Sequence, residues 1–497
     1  MRIPIDRESH IPLYIQIKDF LKEEILAGAL SANAKLPSTR KLAHDLGVNR
    51  ITISNAYAEL DAEGLVYSRL GSGTYVTSLE GISGKAGDRS SPMGEWPLWQ
   101  MDLCERTKLP AQTKLERILM TSSPQMDDMI SFAGGLGATE LFPIDDFRKA
   151  LQKVLRRDEA NAGSYGDRAG YLPLRITISQ ILASRGVLSS PSQILITSGS
   201  QQAFNLVANL ILRPGDVVLT ESPTYPGAID LFNSLEARVI SVPLDDQGMR
   251  VDLAEELLQK AHPRLIYTIP TFQNPTGICL SGHRRRRLIA LAQWFNVPVL
   301  EDEFVGDLRY EGPAQPTLKA LDPSGYVIYV GTFSKMMMPS LRIGYIAASG
   351  PVYDRLLGWK RIQDLATSNL IQQALEAYIT VGRYEAHLRR SIRLYRLRRE
   401  AMLQALAQYM PRGVSWVNPT GGLFVWCQLP NGYSANELLP IAIEEKVDFA
   451  PGLLYFPKEK IYNYFRLNFA MSTPGRVEEG IFRLSKAVER YFELKDK

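Results

Sequence analysis

One lysine stands just after an apolar stretch of the sequence. Residues 327–332 read Val-Ile-Tyr-Val-Gly-Thr, which predicts a buried strand, and Lys335 follows after Phe-Ser. A lysine amine attacks a carbonyl only when it is unprotonated, which requires a partly desolvated site near other positive charge. Arg342 supplies such a charge and can bind an anion through two parallel hydrogen bonds. The pattern predicts a reactive lysine, although a bare Ser-Lys pair is also typical of an ordinary loop.

Three other polar residues lie where a predicted strand ends. Ser200 and Gln201 stand between an apolar run and an apolar helix, where backbone amides and the helix dipole form an anion site. Asp302 supplies a carboxylate at the end of the run that begins at Val297. Taken singly, Ser200 and Gln201 are more typical of an ordinary strand-to-helix turn, and Asp302 is more typical of a structural cap.

The longer strings around these residues resemble the fold-type I pyridoxal-phosphate enzymes, the aminotransferases. The strings are Ser-Gly-Ser-Gln-Gln at 198–202, Ser-Pro-Thr-Tyr-Pro-Gly at 222–227, Asn-Pro-Thr-Gly at 274–277 and Gly-Thr-Phe-Ser-Lys at 331–335. The resemblance implies pyridoxal 5'-phosphate as the cofactor, held by Lys335 as a Schiff base. It also implies the remaining contacts: Asp302 to the ring nitrogen, Asn274 to the phenolic oxygen, Tyr225 to the ring face, and Ser200, Gln201 and Arg342 to the phosphate.

Two further residues match substrate-side and subunit-side positions of the same family. Arg466, in Tyr-Phe-Arg-Leu-Asn, matches the arginine that grips an α-carboxylate, with a surface-strand arginine as the alternative. Tyr165 matches a tyrosine that reaches the phosphate of the neighbouring subunit, which implies a homodimer. The sequence also departs from the family, because relatives carry a tyrosine two or three residues after the aspartate and this chain has Phe304 and Val305. A phenyl ring cannot make that hydrogen bond, so we expect the cofactor to bind and turnover to be slow.

The elements that must position these residues alternate along the chain. Apolar runs at 193–197, 216–220, 265–268, 297–300 and 327–332 are separated by helical patterns. This alternation predicts an α/β domain with a mostly parallel sheet, whose ligands lie beyond the strand ends.

The amino-terminal stretch has a different pattern. Apolar residues at helical spacing from Ile17 to Ile25 predict a first helix, and Ser38 and Gly47 fit the cap and stop of a second. A third helix begins near Arg50, and the residues from Leu65 to Thr77 predict a hairpin. The pattern fits a helix-turn-helix with a wing, and equally a small three-helix protein-binding module.

Strings within this stretch resemble the winged-helix domain of GntR-type bacterial repressors. They are Leu-Pro-Ser at 36–38, Asn-Arg at 49–50 and Gly-Ser-Gly-Thr-Tyr-Val at 71–76. The resemblance implies binding to double-stranded operator DNA through four positions: Arg40, Arg50, Thr52 and, at the wing tip, Gly73. Arginine suits phosphate oxygens or a guanine edge, and glycine allows close approach of the backbone.

The sequence therefore predicts three parts: a DNA-binding domain at 1–78, a flexible linker at 79–111 and an aminotransferase-like domain at 112–497. The linker is rich in glycine and serine and without apolar periodicity. Trp96 and Trp99 interrupt this composition, either as anchors of the tether on a folded surface or as the start of the next domain.

The composition of the chain argues against several classes of protein. The net charge of +4 does not by itself indicate nucleic acid, and three widely spaced cysteines suggest neither a disulfide framework nor a zinc site. No run approaches the length of a membrane span, so we expect a cytoplasmic protein that uses no membrane and no metal. Two arginine-rich runs, 284–287 and 389–399, alternate with leucines at helical spacing and are predicted to be solvated helix faces.

Taken together, the chain resembles the MocR/GabR-type bacterial transcription regulators. This implies a dimeric, DNA-binding regulator that uses pyridoxal phosphate and senses a small amine, an amino acid or the cofactor itself. The alternative is a working aminotransferase with an accessory DNA-binding module.

Overall fold

The structure is a computed structural model, and it describes these residues of the 497-residue chain: 3–7, 9, 11–27, 29–31, 33–69, 73–77, 128–157 and 162–495. They fall into two compact units, one before and one after the stretch 78–127. The predicted linker at 79–111, with Trp96 and Trp99, lies outside the described residues, as does Cys104. The domain boundaries given above therefore stay predictions.

The first unit contains three helices and a hairpin: α1 Leu13–Leu26, α2 Thr39–Leu46, α3 Arg50–Ala62, β1 Val66–Arg69 and β2 Gly73–Val76. The Ser38 side chain caps α2 by accepting from the Lys41 amide, and Gly47 ends it with φ +60°. Asn49 then caps α3 through the Ile51 amide. These caps leave only a short turn between α2 and α3, so the predicted helix-turn-helix and its wing are confirmed.

The second unit is a mixed α/β structure. Its strands are β3 Ile130–Ser131, β4 Ile194–Thr197, β5 Val217–Ser222, β6 Arg238–Asp245, β7 Gly248–Met249, β8 Leu265–Thr268, β9 Val299–Glu303, β10 Val327–Thr332, β11 Gly344–Ala347, β12 Ser415–Trp416, β13 Phe424–Gln428, β14 Val447–Asp448, β15 Ala450–Pro451 and β16 Tyr464–Asn468. Its helices are α4 Ile144–Arg157, α5 Leu172–Ser184, α6 Ser200–Ile211, α7 Pro226–Ser234, α8 Val251–Ala261, α9 Gly282–Phe295, α10 Leu318–Leu321, α11 Pro351–Asp364, α12 Asn369–Thr380, α13 Arg383–Tyr409, α14 Ala435–Glu444 and α15 Pro474–Lys495.

The central sheet has eight strands in the order β4-β11-β10-β9-β8-β5-β6-β7. The pairs from β10 through β9, β8 and β5 to β6 are parallel, whereas β11 and β7 pair antiparallel with their neighbours. Strands β4, β8 and β10 are buried along their whole length, as expected where helices cover both faces. The predicted α/β fold with a mostly parallel sheet is confirmed.

The register of the parallel strands places the chemistry-bearing loops together. Val330 in β10 lies opposite Asp302 in β9, and Thr268 in β8 lies opposite Glu301. Because parallel strands end at the same sheet edge, the segments after β5, β8, β9 and β10 converge there. A separate four-stranded sheet, β12-β13-β16-β15, carries Arg466.

The two arginine-rich runs are only partly solvated, so the prediction for them was wrong in part. Arg285 is fully buried and donates to the carbonyls of Leu280, Pro270 and Pro316. Arg398 and Arg399 are also buried and pair with Glu140 and Glu311. The long side chains reach carbonyls and carboxylates at the helix surface, which helical spacing alone does not reveal. Among the residues that the structure describes, none of the helices has the length and hydrophobicity of a membrane span.

Candidate functional site

A cavity of about 390 Å³ opens in the second unit at the carboxyl ends of the parallel strands. Eight of the nine residues predicted for cofactor and effector line it: Ser200, Gln201, Tyr225, Asn274, Asp302, Lys335, Arg342 and Arg466. They come from segments spread over more than 260 positions of the sequence, and the sheet edge brings them together. Such a cavity with few converging polar groups is typical of a small-molecule site.

Lys335 lies just beyond β10, and its amine points into the cavity. The Nζ atom donates a hydrogen bond to the carbonyl oxygen of Gly135 at 2.8 Å. Burial lowers the pKa of Lys335 to about 8, and the positive charges of Arg466 and Arg342 add to the effect. A substantial fraction of this amine is therefore neutral near pH 8, as a nucleophile requires.

Asp302 lies in β9 with one oxygen satisfied and one not. The hydroxyl of Tyr267 donates to Oδ2 at 2.7 Å, while Oδ1 is buried without a hydrogen-bond partner among the described residues. Burial raises the pKa of Asp302 to about 7, and the nearby Glu303 and Glu221 contribute to the rise. A buried acceptor without a donor is costly, so this oxygen fits a ligand that brings an N–H group.

A cradle for an anion forms at the start of α6. Gly199 precedes the helix with φ +90°, and Arg342 donates from Nη2 to the carbonyl oxygen of Ser198 at 3.2 Å. A Cβ atom at Gly199 would lie 2.6 Å from that Nη2 atom, so glycine allows the guanidinium to lie against the loop. The helix amino terminus and the guanidinium together favour a phosphate. The structure thus brings Ser200, Gln201 and Arg342 together at one cavity, and their contact with a phosphate stays a prediction.

Arg466 lies in β16 and is buried among neutral acceptors. Its Nη1 donates to Asn274 Oδ1 at 3.2 Å, and Nη2 donates to the carbonyl oxygens of Ala133 and Gly134 at 2.6 and 2.9 Å. The guanidinium carbon stacks 4.0 Å from the ring centroid of Phe424. No carboxylate in the described part of the chain forms an ion pair with it, and Nε is buried without a partner. A buried cation without a counter-ion fits a carboxylate ligand.

Phe304 lines the cavity after Asp302, at one of the two positions where the predicted resemblance leads us to expect a tyrosine. Its ring stacks on Phe424 with centroids 6.5 Å apart and planes 19° from parallel. The neighbouring Val305 is buried as well. Both candidate positions for the tyrosine are thus apolar.

Tyr165 does not join the cavity within one chain. Its side chain is 87% exposed and lines a separate groove with Gly166 and Asn369. The predicted contact with a neighbouring subunit's phosphate stays a prediction.

Three cavity contacts were not found from the sequence. Tyr267 was identified only as part of a strand, Gly135 contributes a backbone carbonyl, and Phe424 supplies a ring from the second sheet. An acidic strand end facing an in-strand tyrosine on the neighbouring strand is a signal that could have identified Tyr267.

In the first unit, the predicted DNA-contacting side chains are accessible. Arg40 and Arg50 are exposed, Thr52 is half-buried, and Arg50 Nε donates to Thr39 Oγ1 at 3.3 Å. Gly73 begins the second wing strand with φ +121°, and a Cβ atom there would lie 2.9 Å from Cε of Lys35. The residues 70–72 between the wing strands lie outside the described residues. The accessible arginines provide the local basic surface that the net charge does not show.

Comparison with known proteins gives the same division. Residues 129–484 match the family "Aminotransferase class I and II", and residues 13–76 match "Bacterial regulatory proteins, gntR family". Aromatic-amino-acid aminotransferase 1 of Thermococcus litoralis is 39% identical over 371 residues, which cover 73% of this chain and 89% of that protein. The crystal structure of the α-aminoadipate aminotransferase LysN of Thermus thermophilus is 34% identical with a TM-score of 0.74, over 80% of this chain and 99% of that one.

A regulator matches over nearly its whole length. The probable rhizopine catabolism regulatory protein MocR of Rhizobium meliloti is 30% identical over 487 residues, which cover 97% of this chain and 95% of that protein. These two aminotransferases cover 73 and 80% of this chain, whereas MocR covers 97%. The chain therefore belongs to the MocR-type regulators of the GntR family, in which a class I and II aminotransferase domain follows a winged helix-turn-helix domain.

Proposed function

We propose that this protein is a transcriptional regulator that binds DNA through its winged helix and uses pyridoxal phosphate to sense a small amino compound. The observation that carries the proposal is the presence, in one chain, of exposed arginines on a helix-turn-helix and of Lys335 beside an anion cradle. The cofactor itself is the alternative effector, because the same cavity residues would then respond to its arrival.

The cavity residues fit the cofactor one group at a time. Bound pyridoxal phosphate supplies a carbonyl for amines and a protonated ring that withdraws electrons. Lys335 offers a partly neutral amine for the covalent link. Asp302 Oδ1, which lacks a partner among the described residues, would accept a hydrogen bond from the ring nitrogen and favour its protonated form. Ser200, Gln201 and Arg342 would hold the phosphate, Tyr225 would pack on the ring, and Asn274 would donate to the phenolic oxygen.

Arg466 indicates the chemical class of the effector. Its guanidinium is buried, positively charged and bound only to neutral oxygens in the described residues, and a carboxylate would supply the missing negative charge. An amine on the same molecule would replace the Lys335 amine at the cofactor. We therefore infer an α-amino acid or a related amino acid as the effector.

Phe304 favours sensing over turnover. A hydroxyl at this position could donate a hydrogen bond to the cofactor. The phenyl ring of Phe304, which stacks on Phe424, has no group that can do so. The competing function, a working aminotransferase, is supported by the retained Lys335 and Asp302. Turnover of about 1 to 1000 per second with any amino acid would favour that enzyme.

DNA binding and assembly complete the proposal. Arg40 and Arg50 contact phosphates or base edges, with Thr52 on the same helix as Arg50 and Gly73 at the wing. The exposed Tyr165 reaches the phosphate site of a second copy, so the working form is a homodimer in the cytoplasm.

The test uses the purified full-length chain and a DNA duplex selected by that chain from a random pool. Wild type should be yellow with pyridoxal phosphate, and borohydride should fix the cofactor to the Lys335 peptide. Lys335→Ala should lose this link and keep DNA binding, whereas the exposed Lys260→Ala should behave as wild type. An unmodified Lys335 peptide after reduction would refute the cofactor role, and failure to select any duplex would refute the regulator role.

A further inference from the structure

Three side chains outside the cavity connect its anion cradle to helix α11. Gln202, in the first turn of α6, accepts from the Ser198 amide through Oε1 at 2.7 Å and donates to Asp364 Oδ2 through Nε2 at 2.9 Å. Asp364 Oδ1 accepts from Lys360 Nζ at 2.8 Å. We call Gln202, Asp364 and Lys360 the supporting triad. It ends at Ser198, whose carbonyl oxygen holds Arg342.

The triad fixes which end of the Gln202 amide faces the cradle. A carboxylate accepts hydrogen bonds and cannot donate them, so Asp364 selects the NH₂ end of the glutamine. The carbonyl end must then face the Ser198 N–H, which it needs as its donor. Lys360 is 1% exposed, and its ion pair with Asp364 at 2.8 Å holds that side chain in place. The charge at α11 therefore sets the orientation of a neutral side chain at the cradle.

The backbone next to Asp364 is strained, which supports a positioning role. Leu365 has φ +57° and ψ −56°, and the Ala366 amide bonds back to the Asp364 carbonyl oxygen at 2.5 Å, which makes a tight γ-turn. Leu365 is 56% exposed, so its own side chain contributes little to holding this conformation. Strain of this kind persists where surrounding contacts over-determine it, and the bonds from Asp364 to Lys360 and Gln202 are such contacts.

We propose that the supporting triad positions the loop Ser198 to Ser200 so that the cradle binds a phosphate, and thereby sets the preference for pyridoxal phosphate over unphosphorylated pyridoxal. This inference rests on the proposed cofactor site. Gln202, Asp364 and Lys360 are positioning residues, since none of the three lines the cavity. Their effect passes through the Ser198 amide and carbonyl to Arg342 and to the amides at the start of α6.

The experiment compares two ligands that carry the same ring and the same aldehyde. Dissociation constants of pyridoxal phosphate and pyridoxal are measured on the full-length apo protein by absorbance. Asp364→Asn should raise the constant for pyridoxal phosphate about tenfold, the effect of losing one hydrogen bond with a charged group, and leave that for pyridoxal within about twofold. Phosphorus NMR of the bound cofactor should show a shifted signal in the variant.

Controls separate this role from a general effect on folding. Asp354→Asn makes the same change at an exposed position of α11 and should alter neither constant. Gln202→Leu removes the link from the cradle side and should reproduce the Asp364→Asn result, which covers the case in which that variant fails to fold. Equal weakening of both ligands, or no change in either, would show a purely structural triad and overturn the inference. Failure of wild type to bind pyridoxal phosphate would instead refute the proposed cofactor site on which it rests.

Discussion

Arg466 donates a hydrogen bond of 3.2 Å from Nη1 to Oδ1 of Asn274. This contact links the residue proposed to bind the effector to a residue proposed to bind the cofactor. Asn274 is assigned to the phenolic oxygen of the cofactor, and Arg466 to the effector carboxylate. A carboxylate that engages Arg466 competes with Asn274 and with the carbonyls of Ala133 and Gly134 for the same donors. Effector binding must therefore rearrange groups that face the cofactor, which is the differential contact a ligand-driven switch requires.

Arg466→Ala should bind the selected duplex as wild type does and lose the effector response. Removing one partner of a buried charged pair weakens binding by at least roughly thirtyfold, because the carboxylate is left without its cation. Amines that lack a carboxylate should bind both proteins alike. The measurement is DNA affinity against effector concentration, with Arg250→Ala, an exposed arginine of the same unit, as the control. A full amino-acid response in Arg466→Ala would contradict the assignment.

The rate at which apo protein captures pyridoxal phosphate should rise with pH and level off above about 8. Only the unprotonated Lys335 amine attacks, and burial with two nearby guanidinium groups lowers its pKa to about 8. Arg466→Met removes one of these positive charges, so its midpoint should move to higher pH. Stopped-flow absorbance across the pH range measures both midpoints. A wild-type midpoint near 10.5, the ordinary lysine value, would show that the amine is not perturbed.

Asp302→Asn should change the pH dependence of apo-protein stability in a defined direction. Burial raises the pKa of Asp302 from 3.8 to about 7, so between these values the folded protein keeps a proton that the unfolded chain has lost. Stability contributed by this group therefore falls as pH rises from about 4 to 7. Asparagine does not titrate, so the variant should gain stability relative to wild type across this window. Urea unfolding at pH 4 and pH 8 measures the difference, and a difference independent of pH would contradict the raised pKa.

The sequence predicts the residues that line the cavity better than the residues that hold them in position. Lys335, Asp302 and Ser200 could be identified because each follows a recognisable strand, and parallel strands bring their carboxyl ends to one edge. The bond between Gln202 and Asp364 joins residues 162 positions apart, and the string at 198–202 that contains Gln202 does not indicate this partner. Contacts of this kind depend on how helices pack on the sheet, which local periodicity does not specify.

The burial of charged side chains was the second feature that the sequence did not predict. Arg398 and Arg399 have the same leucine-interleaved spacing as a solvated helix face, yet they reach Glu140 and Glu311 from distant segments. Periodicity reports which side of a helix faces the core, and it carries no information on where a long side chain ends. The partners of these arginines could not be read from the sequence for that reason.

Arg50→Ala should weaken binding to the selected duplex and reduce its dependence on salt. Arg50 is exposed at the first turn of α3, where a guanidinium reaches the DNA backbone or a base edge. Loss of one phosphate contact lowers the slope of log affinity against log salt by about 1. Fluorescence anisotropy at several salt concentrations measures the slope. Lys22→Ala, on α1 and paired with Glu63, is the control and should keep the wild-type slope. A normal slope with weaker binding would assign Arg50 to a base rather than to a phosphate.

A fragment of residues 1–78 should bind the same duplex more weakly than the full chain. The first unit has a core of its own, which includes Ile17, Leu21 and Leu60, so the fragment should fold. In the proposed dimer the second units hold two winged helices together, and the second binding event then occurs at a raised effective concentration, worth about a hundredfold or more in affinity. Fusing the fragment to an unrelated dimeric coiled coil should restore part of this affinity, because the gain comes from linkage and not from new DNA contacts. Anisotropy titrations of the three proteins make the comparison. Equal affinity of the fragment and the full chain would show that the second unit does not pair the DNA-binding units.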